Sequence, residues 1–236
     1  MKTIRGRDGR DQLWFGDGEI EEIIEAELRN ASMVPSIDSP ALNLELFIER
    51  HLGARLDQYV EMEAALLGFT EFFGDHPPRV SINAQLTGSA LDEDETEPGI
   101  RGRFRATLAH EAAHVVLHRS FVERGARNME LFGEEPTARR ALHRCPKSAA
   151  SFRRVVDWRE WQANQGMAAL LMPRVTFVEL ARREIAAVFP GRTDVPEGQE
   201  HRIIPALAGL FEVSKQAAAI RLETLRLLSR GQSTLA

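Results

Sequence analysis

The chain has 236 residues and a mass of 26.5 kDa, enough for one large domain or two small ones with a real buried core. Hydrophobic residues at 43% and charged residues at 28% are ordinary globular values and exclude wholesale disorder. A net charge of −5 gives no whole-chain attraction to nucleic acid, and the lone Cys145 excludes both an internal disulfide and a Cys-rich zinc finger.

Met1 to Arg10 is charged and leads into no apolar run of signal-peptide length, and the first dozen residues, charged and holding two glycines, are expected to be loose. The longest uninterrupted apolar run, Met167 to Met172, is too short for a bilayer, which predicts a soluble, cytoplasmic protein with no membrane partner. Ile20, Ile23, Ile24 and Leu28 fall at helical spacing and predict an amphipathic helix ending before Pro35. Ser39-Pro40 reads as the start of a second helix that ends near Gly53. Ala65 to Phe69 and Val80 to Asn83 have strand character, with turn residues Gly74 to Pro78 between them, and predict two or three short antiparallel strands.

The acidic run Asp92 to Glu97 reads as a solvated loop. A helix is predicted over Ile100 to Arg119. The polar stretch Glu123 to Ser151 reads as an irregular excursion with a short helix around Ala138 to Leu142. Two further helices are predicted over Trp158 to Met172 and Val175 to Val188, each stopped by a proline, and two short ones over Ile203 to Leu228. The expected fold class is therefore α+β, mostly helical, with a small antiparallel sheet.

The chemistry concentrates in Leu108-Ala109-His110-Glu111-Ala112-Ala113-His114-Val115-Val116-Leu117-His118. His110 and His114 are four apart, so a helix projects both from one face, where two imidazoles can share a cation. Zinc lowers the pKa of water towards neutrality, and the adjacent Glu111 can take the proton. Chance alone places H-E-x-x-H in about one such chain in fifty, so the surroundings carry weight. Apolar residues cover this helix nearly all round, and a buried helix holds three histidines and a glutamate only when they have partners.

His118 fails as a third ligand, because two turns of helix put it about 12 Å from His110. The longer pattern H-E-x-x-H-x-x-G-x-x-H fails too, since Leu117 and Ser120 stand where its glycine and last histidine would be. His118 is expected to pack or to support a ligand. Glu160, opening the helix Trp158 to Met172, is the best remaining carboxylate; its competing role is to complement that helix's dipole. Asn164, one turn later, is placed to hydrogen-bond the second nitrogen of a ligand imidazole.

Thr107 to His118, followed by Glu160-Trp161-Gln162-Ala163-Asn164-Gln165-Gly166-Met167-Ala168-Ala169-Leu170-Leu171-Met172-Pro173, resembles the ImmA/IrrE family of metallo-endopeptidases. That family pairs an A-H-E-L-G-H-x-L-L-H helix with an E-x-[EQ]-A-[ND]-x-F-A-x-x-L-L-M-P helix. Leu67 to Thr70 and Val80 to Asn83 resemble its upstream strands, and the likeness extends over roughly residues 40 to 228. It implies a zincin-like peptidase core over 39–189, with an N-terminal extension at 1–38 and a helix-turn-helix-like segment at 190–236. It also implies His110, His114 and Glu160 as zinc ligands, Glu111 as general base, and a narrow protein substrate, commonly a helix-turn-helix repressor. The sequence departs from the pattern at Ala112-Ala113, where Leu-Gly is usual, and at Gly166-Met167, where Phe-Ala is usual.

Leu207 to Leu222 has the rhythm of a helix-turn-helix, with Ser214 able to cap its second helix. Lys215 and Gln216 are weak base readers, no basic cluster surrounds them, and Glu212 occupies the turn. Structural or partner-docking use is favoured over direct DNA binding. A donor for an oxyanion is sought among Tyr59, His143 and Arg202, between which the sequence does not choose. The rival readings are a non-enzymatic, zinc-containing regulator that binds DNA or a repressor, and an aminopeptidase or amidase on the same metal set.

Overall fold

The chain begins with a strand pair, β1 (Lys2–Arg5) and β2 (Asp11–Trp14), antiparallel in register from Lys2 opposite Trp14. The expected looseness of this stretch is thereby corrected: Gln12 to Trp14 close a ladder against Lys2 to Ile4. The computed structural model describes residues 2–5, 11–73, 76–92, 98–131, 140–146 and 158–229. Among these, no helix is long and apolar enough to cross a membrane.

Helix α1 (Asp17–Asn30) follows, its N-terminus closed by the Glu19 carboxylate accepting the Gly16 N–H at 2.7 Å. Ile20, Ile24 and Leu28 are fully buried, as their spacing predicts. The next helix starts later than Ser39-Pro40. Asn43 is its cap, accepting the Leu46 N–H, and α2 (Leu44–Leu46) passes directly into a π-helical turn, Phe47–His51. Ser36 and Ser39 instead bond each other ahead of it, because a side-chain turn satisfies their backbone before a helix can.

Strands β3 (Arg55–Val60), β4 (Leu66–Phe73), β5 (Arg79–Asn83) and β6 (Arg140–Pro146) form one sheet in the order β3-β5-β4-β6. The molecule is thus mixed α and β and mostly helical, as expected, but the sheet is not purely antiparallel: β3 pairs with β5 in parallel. The short link Glu61–Ala65 would suit a hairpin between β3 and β4, yet β5 lies between them. The Asn83 amide donates to Leu66 O at 2.7 Å, and the Arg55 N–H donates to Pro78 O at 2.8 Å, tying both flanks to β5.

The expected short helix at Ala138 to Leu142 is also corrected. Arg140 to Pro146 extends along the free edge of β4, where an open ladder offers more backbone hydrogen bonds than an isolated helical turn. Glu93–Glu97, in the acidic run, lies outside the described residues, as do 132–139 and 147–151 of the predicted excursion. The start of that excursion is helical.

After α3 (Ala84–Leu91) comes the long α4 (Pro98–Leu131), which runs past the predicted end at Arg119. Then follow α5 (Trp158–Leu171), α6 (Arg174–Val188), α7 (Ile204–Leu210) and α8 (Lys215–Thr224). One buried cluster takes residues from all three parts of the chain, from Phe15 and Ile24 through Leu108 and Phe177 to Leu222.

Helices α4 and α5 lie side by side, and their spacing is set at one point. A Cβ on Gly166 would come within 2.8 Å of the Ala113 Cβ, closer than side chains tolerate. The two departures from the resembled motifs therefore meet in space: a methyl at 113 occupies room left by the missing side chain at 166. Gly166→Ala is expected to cost about 1–3 kcal/mol through overpacking, read as a lower urea midpoint. Adding Ala113→Gly to the same chain should restore most of that loss, because the two positions share one contact.

Candidate metal centre

His110 and His114 lie on the buried face of α4, 2% and 0% exposed, with Leu108, Ala109, Ala112 and Ala113 around them fully enclosed. Glu160 sits in the first turn of α5 and points its carboxylate between the two rings. Its Oε2 is 3.1 Å from His110 Nε2 and its Oε1 is 3.3 Å from His114 Nε2. The two Nε2 atoms are 3.1 Å apart. His110, His114 and Glu160 form a group able to hold a metal ion.

The proton arrangement decides whether such a group wants a cation. The Asn164 carbonyl, Oδ1, is 3.0 Å from His110 Nδ1 and can only accept, so the proton of His110 sits on Nδ1 and its Nε2 is bare. On the other side, Gln162 Oε1 is 3.1 Å from His118 Nε2, which must donate. His118 Nδ1 is then an acceptor for His114 Nδ1–H at 3.0 Å, leaving His114 Nε2 bare as well. Two imidazole lone pairs and a carboxylate thus converge with no proton of their own between them.

A cation relieves that repulsion for all three groups, whereas a single proton bridges only one pair at a time. The spacing fits: a tetrahedral ion about 2.0–2.1 Å from each ligand would hold the ligand atoms roughly 3.3 Å apart.

Glu111 is fully buried on the same helix. The Thr70 hydroxyl of β4 donates to its Oε2 at 2.6 Å, and its Oε1 has no hydrogen-bond partner. Burial raises its carboxyl to about 7, against the opposing pull of the nearby His110 and the Thr70 hydrogen bond.

The structure therefore brings together His110, His114, Glu160 and Asn164 and sets Glu111 beside them. His118 supports His114 and is not a ligand, and its ring meets Trp158 edge-on at 5.7 Å between centroids. Of the oxyanion candidates, Tyr59 is 65% exposed on β3, and Arg202 stacks over the Phe189 ring. His143 is opposite Thr70 in the β4–β6 register, and its side chain lies outside the described residues. Sequence reasoning missed Thr70 and Gln162 as working parts. A buried threonine on a strand carries no local signal, but the buried polar pair Gln162–Asn164 inside an apolar helix was a usable one.

No protein-family model matches the chain, and no curated protein matches it.

Two outcomes are expected. His118→Phe removes the partner of His114 Nδ1 and should weaken metal binding about 10–100-fold, measured by competition with a fluorescent chelator at unchanged circular dichroism. Glu111 has a raised pKa in the folded state, so its contribution to stability is present below 4.5 and lost as pH rises through about 7. In metal-free protein, Glu111→Gln should accordingly be near neutral at the acid end of that window and stabilising above it, by urea denaturation.

Proposed function

We propose that this protein is a zinc-dependent endopeptidase of the ImmA/IrrE type, acting in the cytoplasm on a specific protein, a helix-turn-helix repressor. One observation carries the reading. An acceptor-only cluster, His110, His114 and Glu160, stands beside a buried carboxylate, Glu111, whose second oxygen has no partner. A purely structural zinc site has no use for that fourth group, since such sites close their coordination with ligands alone. The resemblance of the α4 and α5 motifs to the family pattern supports peptide hydrolysis as the reaction.

Zinc, when bound, supplies Lewis acidity at a carbonyl oxygen and makes water acidic enough to lose a proton near neutral pH. His110, His114 and Glu160 would hold it. Asn164 and the His118–Gln162 pair keep the two imidazole protons on Nδ1, so both Nε2 atoms stay available. Glu111 Oε1 would accept the proton from water and return it to the leaving amine. Thr70 fixes the other oxygen and with it the direction in which Oε1 faces.

The C-terminal segment is read as part of this enzyme and not as a DNA reader. Arg221 of α8 is 2% exposed, paired with Glu21 of α1 and donating to Met172 O, so the supposed recognition helix is tied to the core from two sides. Arg105 of α4 adds a third tie to Glu212 in the α7–α8 turn at 3.3 Å.

Glu111→Gln should keep the metal, seen by atomic absorption, and lose on the order of 10²–10⁴-fold activity on a repressor substrate. Full cleavage by that variant would end the peptidase reading. Chelation separates it from the non-enzymatic regulator: a chain that stays folded and regains cleavage when zinc returns carries a catalytic ion, while one that unfolds carries a structural ion.

A further inference from the structure

A cavity of about 580 Å³ opens along the seam of α4 and α5 and ends at His110 and Asn164. Its size is that of a ligand-binding pocket, roughly 300–1,000 Å³. Each of the two helices feeds it one stripe: Gly102, Ala106 and His110 from α4, Asn164, Ala168 and Leu171 from α5. The next residues along those stripes, His114 and Glu160, complete the metal centre. The pocket and the centre are therefore two stations on one groove.

The third wall is α8, through Ala217 and Ile220, with Val213 from the turn before it. Its approach is fixed by Gly102, where a Cβ would stand 3.1 Å from Ser214 N. Inside, the lining is mostly apolar, broken by Thr107, His110 and Asn164, and its buried Arg221 is neutralised by Glu21. At the rim the exposed residues are Gly99, Arg103, Gln216 and Thr224. Among the described residues no carboxylate lines the cavity, although the whole chain is acidic, so Arg103 sets the sign of the rim.

We propose that this cavity is a recognition pocket for a segment of the substrate that carries a bulky apolar side chain flanked by acidic residues. The inference rests on the peptidase reading for the occupant being a peptide. It goes further in assigning α8 as the wall that selects the substrate. The apolar side chain enters between Ala106, Ala168 and Ala217, three small residues that leave the volume open. An acidic neighbour meets Arg103 at the rim, where no described residue of the lining carries a like charge. The helix-turn-helix rhythm of the sequence then serves substrate choice, and Gln216, the weak base reader, faces the pocket rim.

The probe is a fluorescein-labelled decapeptide with one Phe between two Asp, compared with versions carrying Ser for Phe or Lys for both Asp. Binding to the full-length, zinc-loaded Glu111→Gln protein is followed by fluorescence anisotropy. The Phe–Asp peptide should bind at least about ten-fold more tightly than either comparison peptide. Ala217→Trp, which fills the cavity, should abolish that difference. Arg103→Glu, a surface change that leaves the packing alone, should invert the preference to the Lys version while keeping the need for Phe. The proposal is overturned if the three peptides bind alike, if Arg103→Glu leaves the charge preference unchanged, or if nothing binds up to about 1 mM. Cleavage is scored separately with the wild-type chain: selective binding without cleavage removes the peptidase reading and leaves the pocket standing, while cleavage without selectivity does the reverse.

Discussion

Three acceptors with no proton of their own, held about 3 Å apart in the protein interior, define the constraint around which this molecule is arranged. Buried lone pairs and a half-buried carboxylate repel one another in a medium that screens poorly unless a positive charge intervenes. The fold holds them there by rigid means. His110 and His114 ride one turn apart on a helix whose every neighbouring position is packed, and Glu160 comes from the first turn of a second helix whose distance is set by Gly166 against Ala113. The hydrogen bonds behind the rings then decide what the front presents. Were Asn164 or Gln162 to offer a donor in place of an acceptor, a ring proton would move to Nε2 and the group would become a hydrogen-bonded triad with no need of an ion. A site of this kind is specified by its supports as much as by its ligands.

How far the sequence alone disclosed this depends on the range over which each signal acts. The pair His110 and His114 was legible because helical periodicity is local and turns a spacing of four into a shared face. Asn164 and Glu160 were legible as a pair for the same reason. What joined the two pairs was not spacing, since a long and polar stretch separates α4 from α5, but the need of a third ligand once His118 is excluded, to which the resemblance added; the structure groups His110, His114 and Glu160. Thr70 was out of reach, because its partnership with Glu111 depends on β4 lying across α4. The order β3-β5-β4-β6 was equally hidden: the short link after β3 suggests a hairpin, and only the side chain of Asn83 and the backbone of Arg55 explain why β5 takes the central place. Pro40 misled for a different reason. A proline after a serine favours a helix start, but Asn43 offers a better cap a few residues later, and the chain uses that one.

The C-terminal helices illustrate how one pattern supports two architectures. A short helix, a tight turn and a capped second helix are what a DNA reader needs, and Ser214 does accept the Ala217 N–H as that pattern asks. Yet a reader must offer its second helix to a groove, whereas α8 turns Arg221 inward to a carboxylate on α1 and to the carbonyl that ends α5. Glu212 adopts a left-handed backbone, φ 52°, in the turn. That conformation disfavours a residue with a side chain by roughly 1–2 kcal/mol. The ion pair of Glu212 with Arg105 offsets part of it, which accounts for a glutamate where a glycine would be the easier choice. The same ion pair holds the turn against α4, the helix that carries His110.

Glu111 shows why burial and incomplete satisfaction belong together here. A buried glutamate with both oxygens paired would be a structural strut, its charge fixed by its partners. One with neither paired would simply hold its proton. Thr70 satisfies one oxygen and leaves the other facing the interior, and burial carries the carboxyl to about 7, so its two protonation states are close in energy at neutral pH. A cation brought into the neighbouring group would pull the pKa down, favouring the charged form and readying Oε1 to accept. The two features that look like defects taken singly, an ion-hungry cluster and an unsatisfied carboxylate, are then complementary: the charge that relieves the first also prepares the second.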